Sequence, residues 1–244
     1  MKDNFKQIKI ILAREFSISR RNILFMSILA AFLILAGYIF NSINIILRRV
    51  ELFIFIKEMA GLGIFVIPIL TANSIAKERI TGELELILSS GIKSGNFILG
   101  KVLFLLSVFL FISLYFLILP LAYYVTNVTE NIPDLKSYII LILGYMIISG
   151  LYISIGIFIS SRCVYPATAG GITFGIFLFI FFLGTFPVFF PLNPLSEMLK
   201  MIIPEFRLTN ILHGIIKMND LVYFFTSITF FIGASIVSVK WKKF

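Results

Sequence analysis

Long stretches without a charged residue alternate along the chain with shorter segments that carry Lys, Arg, Asp and Glu. Each of six such stretches can hold a helix of about 20 residues, the length that crosses the hydrocarbon core of a bilayer. Pro187, Pro191 and Pro194 should end the fifth helix near residue 186, because proline interrupts helical hydrogen bonding. The pattern predicts an all-α integral membrane protein with one transmembrane domain over residues 1–244. Its predicted spans are residues 23–46, 59–76, 102–125, 138–161, 166–186 and 221–239.

The composition supports a membrane protein and excludes a disulfide framework. The chain is 59% hydrophobic and 14% charged, whereas soluble domains are about 45–50% apolar and about 25% charged. Cys163 is the only cysteine, so an intramolecular disulfide cannot form.

The basic residues are distributed unevenly between the two sides of the predicted bundle. Six spans place both termini on one side, and that side carries 14 of the 21 Lys and Arg residues but 5 of the 12 acids. The positive-inside rule therefore predicts a multi-pass protein of the cell membrane with both termini in the cytoplasm. We interpret the positive charge as a topology signal and a contact with lipid headgroups, not as a nucleic-acid binding surface.

Residues 3–20 precede the first span and have helical periodicity. Phe5, Ile8, Leu12 and Phe16 recur at three- and four-residue spacing, while basic residues such as Arg14 fall elsewhere around the helix. This pattern predicts an amphipathic helix on the cytoplasmic surface of the membrane. Glu15 interrupts the apolar face. The alternative is a plain positive anchor for the first span.

A second short helix is predicted at residues 82–90, between spans two and three. Thr81 can cap it, Gly91 can end it, and Glu83 and Glu85 lie in the first turn, where the helix dipole favours acids. An apolar stripe is formed by Leu84, Ile87 and Leu88, with Leu86 off the stripe. Such a stripe needs a cover, which a groove on a partner protein or the membrane surface could supply.

Residues 187–219 are apolar but contain four prolines. They divide into two short pieces, at 194–203 and 205–217, which we expect to dip into the outer leaflet and return. His213 is the only histidine, and we interpret it as an interfacial polar residue and not as a metal ligand.

Residues 95–101 read Gly, four residues, Gly, Lys, and so resemble a phosphate-binding loop. Val102 occupies the position where that loop needs a Ser or Thr hydroxyl to hold Mg²⁺. A membrane span follows instead of a soluble helix, so we do not expect this chain to bind nucleotide.

The segment 76–101 resembles the permease subunits of ABC transporters of the ABC-2, or type V exporter, class. The positions that match this family's pattern are Glu78, Gly82, Leu84, Glu85, Leu88, Ser89, Ser90, Leu99, Gly100 and Lys101. Glu83 stands where the family usually has Thr, and Gly91 where it usually has Pro. The layout of surface helix, six spans and broken outer hairpin is also similar.

The resemblance implies that residues 82–90 are a coupling helix seated on a separate ATPase subunit. ATP and Mg²⁺ would then act through that subunit, two permease chains would form a homo- or heterodimer around the path, and this chain would bind no cofactor and catalyse no reaction. The coupling residues implied are Glu78, Gly82, Glu83, Leu84, Glu85, Leu86, Leu88 and Lys101. Those implied for the interface helix are Phe5, Ile8, Leu12 and Arg14, and for an outer gate Pro191, Pro194, Pro204 and His213.

Two other classes of function compete with this interpretation. A stand-alone channel or ion-coupled carrier would need acids at mid-span or inverted repeats, and the sequence shows neither. A membrane-embedded enzyme would need clustered Asp, Glu, His or Cys at one membrane face.

Overall fold

The computed structural model describes residues 2–47, 51–125, 135–190, 193–215 and 217–241, and Pro191 lies outside them. Regular structure in these ranges is entirely α-helical, which confirms the predicted fold class. The helices are α1 (Lys2–Arg21), α2 (Ile23–Leu47), α3 (Leu52–Ile80), α4 (Glu83–Ser89), α5 (Ser94–Val125), α6 (Leu135–Arg162), α7 (Pro166–Phe189), α8 (Pro194–Ile202), α9 (Pro204–Leu212) and α10 (Met218–Trp241).

Six of these helices, α2, α3, α5, α6, α7 and α10, are long and apolar enough to cross a membrane. Helix α3 begins at Leu52, before the predicted start at residue 59, because Lys57 and Glu58 lie on its exposed face and do not interrupt it. Helix α7 continues to Phe189, three residues beyond the predicted end near residue 186, because Pro187 lies inside the helix and does not end it. Pro187 lies within the last turn of α7, and the helix continues past it.

Helix α6 is the centre of the bundle and packs against α3, α5, α7, α9 and α10. Its closest approach is to α3, where a Cβ added to Gly156 would lie 2.3 Å from Thr71 Oγ1. Because a glycine lets two helix backbones come close in a membrane, Gly156 fixes the crossing of these two helices. The large side chains of Tyr145 and Tyr152 are fully buried around it.

Helices α2 and α7 lie at the outside of the bundle. Only 17% of the apolar window of each is buried, compared with 67% for α6. Large apolar side chains such as Ile34, Tyr38, Phe179 and Phe182 are exposed on them. These two helices therefore offer most of their surface to lipid or to another chain.

The short helices lie at opposite ends of the bundle. One end, called here the α1 end, comprises α1, α4, residues 76–101 and the turn at residues 162–165. Arg79 of α3 and Ser238 of α10 meet there at the carbonyl oxygen of Ser161. The other end, called here the α9 end, comprises α8, α9 and the first turn of α10.

Candidate functional site

Five charged side chains from four helices form an ion cluster at the α1 end. Arg14 of α1 contacts Glu78 of α3 at 2.5 Å and Glu83 of α4 at 2.5 Å. Lys101 of α5 contacts Glu15 of α1 at 2.9 Å and Glu78 at 3.1 Å. Glu78 therefore shares two cations, and the cluster joins residues that lie up to 86 positions apart in the sequence.

Lys101 is the most deeply buried member of this ion cluster, with 2% of its surface exposed. A buried cation is tolerated only when it is paired and hydrogen-bonded, and Lys101 has two carboxylates. The segment Gly95–Val102 is helical throughout, and its lysine is committed to those two acids. The Gly-Lys pair that resembles a phosphate loop thus has a structural role in this protein.

Gly100 and Ile11 form the contact that brings α1 against α5. A Cβ added to Gly100 would lie 2.6 Å from Ile11 Cγ2, so any larger residue would push the two helices apart. The helix contact set by Gly100 places Glu15, one turn further along α1, within reach of Lys101. Adjacent residues of α5 therefore have complementary roles: Gly100 permits the approach and Lys101 provides the ion pair.

A group of side-chain amides ties the first turns of α1 to the segment after α4. Asn96 donates from Nδ2 to Gln7 Oε1 at 2.7 Å and to Asn4 Oδ1 at 3.2 Å. Gln7 Nε2 donates to the carbonyl oxygen of Gly91 at 3.3 Å, and Lys93 Nζ donates to Asn4 at 3.1 Å. Helix α1 is thus fixed to the chain on both sides of α4.

These contacts change the predicted orientation of α1. The face that meets α5 runs through Asn4, Gln7, Ile11 and Glu15, one position away from the predicted stripe. Of that stripe, Phe16 packs edge-on against Phe104 at 5.1 Å, Ile8 and Leu12 are half-buried, and Phe5 is 74% exposed. Glu15, an interruption in the sequence pattern, lies on the inner face, where it pairs with Lys101.

Helix α4 is held against its own chain by the apolar stripe that the sequence predicts. Leu84 and Leu88 are each only 6% exposed, and Ile87 packs against the same core. A partner protein is therefore not needed to cover them. The exposed apolar side chain is Leu86, 70% exposed, the one residue placed off the stripe.

The ends of α4 differ slightly from the prediction. Its N-cap is Gly82 at φ 73°, a conformation that favours glycine. Thr81 does not cap α4, because its hydroxyl donates to the carbonyl oxygens of Lys77 and Glu78 and so closes α3. Gly91, with φ 86°, follows the last turn of α4 as predicted.

The exposed surface of α4 consists of Glu83, Glu85 and Leu86, together with Ser89 and Ser90. Glu83 belongs both to this surface and to the ion cluster, since it is 49% exposed and contacts Arg14. Glu83 therefore joins the exposed surface of α4 to Arg14 of α1, which in turn contacts Glu78 of α3.

Two residues of α3 and α6, not identified as functional from the sequence, connect the ion cluster with the bundle core. Arg79 donates to the carbonyl oxygens of Cys163 and Ser161, both at 2.7 Å, and so satisfies the last turn of α6. Ser160 Oγ accepts from the N–H groups of Ile75 and Ala76, at 3.1 and 3.2 Å, and donates to the carbonyl oxygen of Ala72 at 3.1 Å. Glu78 thus lies on a turn of α3 that is bonded to α6.

The α9 end contains a second group of ionisable side chains. Arg207 donates to Asp220 Oδ1 at 2.7 Å and to the carbonyl oxygen of Met201 at 2.7 Å, and its guanidinium lies 4.5 Å from the Tyr223 ring. These contacts join α8, α9 and α10. The two short helices agree with the two predicted pieces, although α9 ends at Leu212 and not at residue 217.

The described residues among those predicted for the outer gate are Pro194, Pro204 and His213. Pro194 and Pro204 are the first residues of α8 and α9, where the missing N–H has no cost. His213 follows α9 and stacks on Phe53 of α3 with the ring centroids 4.2 Å apart. The described residues contain no group of three His, Cys, Asp or Glu side chains suited to a metal ion.

Glu205 of α9 is the ionisable residue that the sequence patterns missed. Tyr152 donates a hydrogen bond to its Oε1, and its Oε2 is buried without a hydrogen-bond partner. Tyr152 lies near the middle of the span Tyr138–Arg162, so α9 brings an acid beside the centre of α6. Burial raises the pKa of Glu205, and the hydrogen bond from Tyr152 only partly opposes this rise.

A family model for the ABC-2 family transporter protein matches residues 49–239. No curated protein matches the sequence. The matched region contains all the spans after α2 together with α4, α8 and α9. The chain belongs to the ABC-2 transporter family and is a multi-pass, membrane-spanning component of a transporter.

Proposed function

We propose that this chain is the permease subunit of an ATP-driven exporter, that a separate ATPase subunit binds the exposed surface of α4, and that ATP and Mg²⁺ are bound by that subunit. The observation that carries the proposal is the ion cluster: Glu83 on α4 is connected through Arg14 to Glu78 on α3, and Glu78 contacts Lys101 on α5. Movement of a protein docked on α4 would be transmitted to α1, α3 and α5 through these ion pairs and not through a flexible loop.

The chemistry of α4 also indicates what the ATPase surface should look like. Leu86 is a single exposed leucine between exposed carboxylates at Glu83 and Glu85. A matching surface has a small apolar pocket for one leucine, bordered by basic side chains. Leu84 and Leu88 support this surface from behind and do not reach the partner.

A second copy of the chain, or a related chain, would pack along α2 and α7. Both helices flank α3, have only 17% of their apolar windows buried, and expose large aromatic and aliphatic side chains. The substrate path would lie between the two permeases, and the short helices α8 and α9 would enter the outer leaflet beside it. Pro194, Pro204 and His213 would then lie at the outer mouth of the path.

In this proposal the α1 end lies in the cytoplasm of the cell, because the side with both termini is the more basic one. Cys163, the sole cysteine, lies at the α1 end and is partly exposed. A membrane-impermeant maleimide should label it in permeabilised cells and leave it unlabelled in intact cells. Labelling in intact cells would reverse the orientation and contradict docking of a cytoplasmic ATPase on α4.

The test of the function is co-purification of an ATPase subunit in mild detergent with wild-type and Leu86→Asp chains. The substitution leaves the core intact because Leu86 is exposed. It introduces a third carboxylate at the proposed contact, and we expect loss of at least 90% of the bound ATPase, since a charge in a small apolar pocket costs more than 1.4 kcal/mol, a factor of ten.

Two matched variants control this experiment. Leu86→Met keeps an apolar side chain of similar volume and should retain the ATPase. Val164→Asp adds the same charge at an exposed apolar residue of the α1 end but outside α4, and should also retain it. Equal recovery of the ATPase with Leu86→Asp would exclude α4 as its docking surface. Purification of wild-type chain without any ATPase would favour a stand-alone carrier.

A further inference from the structure

A groove of about 550 Å³ opens at the elbow between α1 and α2, on the side that faces α3 and α5. Its size falls within the range of about 300–1,000 Å³ that is usual for small-molecule sites. The ion cluster closes its inner wall, since Glu15 and Lys101 both line it. The exposed surface of α4 does not contribute to it, so its occupant is independent of the proposed ATPase contact.

The groove has a basic, polar rim and an apolar floor. Arg21 and Lys77 lie on the rim, are exposed, and have no ion pair within the described part of the chain. Glu15 is the only carboxylate among the lining residues, and Arg14 and Lys101 already neutralise it. Buried apolar residues such as Leu70 and Leu105 form the floor, and the exposed side chains of Leu24 and Ile69 add apolar surface beside it. The rim is therefore positively charged without internal compensation.

Ser74 adds a hydrogen-bonding group that the protein itself does not use. Its Oγ is buried and has no hydrogen-bond partner. An unpaired buried hydroxyl costs free energy, so such a group generally has a partner that is not part of the chain. Asn73, beside it on the rim, is exposed and also faces the groove.

The order of these groups follows the profile of a membrane leaflet. Arg21 ends α1, two positions before α2 begins at Ile23, and Lys77 lies in the last turn of α3, so we infer that both are at headgroup height. Leu24 and Ile69 are one turn or more deeper, at the height of the acyl chains. A ligand that fits both parts has an anionic head and an apolar tail, and the membrane itself supplies that ligand.

We propose that this groove binds an anionic phospholipid from the leaflet at the α1 end, with the phosphate between Arg21 and Lys77 and hydrogen-bonded by Ser74 Oγ. An acyl chain lies along Leu24 and Ile69. The inference goes beyond the proposed function, because the lipid is a resident ligand of the elbow and not the exported substrate. It would hold the C-terminal end of α1 near α3, whereas the amide contacts of Asn4 and Gln7 hold the N-terminal end of α1 to the segment after α4.

The test is native mass spectrometry of the full-length chain in mild detergent, titrated with phosphatidylglycerol or with phosphatidylcholine of the same acyl chains. We expect one phosphatidylglycerol to bind preferentially. Arg21→Gln and Lys77→Gln should each weaken its binding about fivefold, and the double variant about 20-fold, because a basic residue near an anionic lipid contributes roughly that factor. Lys9→Gln, an equal charge change on the exposed side of α1, should leave binding unchanged.

Ser74→Ala distinguishes a bound phosphate from general attraction to a basic surface. We expect about threefold weaker phosphatidylglycerol binding. The melting temperature without lipid should be unchanged or higher, because the variant removes an unpaired hydroxyl.

Soluble glycerol phosphate should not displace the lipid at millimolar concentration, since it has no acyl chain. Displacement would assign the groove to a free phosphate and overturn the proposal. Equal binding of the two lipids, or equal weakening by Lys9→Gln, would also overturn it.

Discussion

The two ends of the molecule handle buried charge in opposite ways. At the α1 end, two cations and three carboxylates contact one another and connect α1, α3, α4 and α5. At the α9 end, Glu205 is bonded to a phenol, and Arg207 pairs separately with Asp220. In the ion cluster every charged group contacts an opposite charge on another helix. Burial of Glu205 instead raises its pKa and so favours the neutral carboxyl.

The largest expected effect comes from removing the buried cation of the ion cluster. Lys101→Met should lower the free energy of unfolding by about 3 kcal/mol, because Glu15 and Glu78 would be left to share Arg14. Thermal unfolding in detergent measures this loss, and Lys6→Met on the exposed side of α1 should change stability by less than about 0.5 kcal/mol. A Lys101→Met chain as stable as Lys6→Met would show that the ion cluster contributes no net stability.

The next effect tests whether the close approach of α1 and α5 maintains the ion cluster. Gly100→Ala should destabilise the protein by about 1–3 kcal/mol, since the new methyl group would overlap Ile11. Gly95→Ala is the matched control on the same helix, where a Cβ meets only Ile236 Cδ1 at 3.8 Å. That variant should be neutral or stabilising by about 0.5–1 kcal/mol through its helix propensity. The interpretation fails if the two variants unfold at the same temperature.

A smaller effect, dependent on pH, is expected at the α9 end. Because the pKa of Glu205 is raised in the folded protein, the folded state binds this proton more readily than the unfolded state does. Its contribution to stability is therefore full below the ordinary carboxyl pKa and is lost as the pH rises through the raised folded pKa. Glu205→Gln should remove that part of the pH dependence, which unfolding measured between pH 4 and pH 8 would show, while Glu197→Gln on exposed α8 should retain it. An unchanged pH profile in Glu205→Gln would mean that folding does not raise the pKa of Glu205.

The smallest effect on stability is expected at Glu83, the exposed member of the ion cluster. Glu83→Gln should cost no more than about 0.5–1 kcal/mol, because Glu83 is 49% exposed and solvent screens its pair with Arg14. If Glu83 transmits movement of α4, the same variant should reduce transport far more than it reduces stability. A parallel loss of both quantities would assign Glu83 a purely structural role.

The six helices that are long and apolar enough to cross a membrane could be predicted from the sequence. A bilayer requires each span to have a minimum length and few charged residues, and both can be read directly from the order of the residues. The sequence also predicted which residues of α4 share a face, since Leu84 and Leu88 follow helical spacing. What covers that face could not be read from periodicity. The spacing is the same whether the cover is a partner, the membrane or, as here, the chain itself.

Only part of the ion cluster could be predicted from the sequence. The resemblance selected Glu78, Glu83, Lys101 and Arg14, but their pairing across 64 to 86 residues depends on how α1 packs against α5. Glu15 was misread as a defect because its partner, Lys101, is remote in the chain. Glu205 was missed for a related reason. Acids were sought inside the spans, whereas α9 carries this one to the middle of α6 from outside any span.

The hydroxyl of Ser160 determines how stiffly the last turns of α3 are attached to α6. This one oxygen makes three hydrogen bonds to α3, with Ala72, Ile75 and Ala76, and so joins the two helices. The three partners lie only two to six residues before Glu78. These bonds therefore favour movement of α3 and α6 together over bending of α3 alone. A chain with alanine at this position would keep both helices yet lose the three bonds, so less of any movement that an ATPase imposed on α4, as proposed, would reach α6.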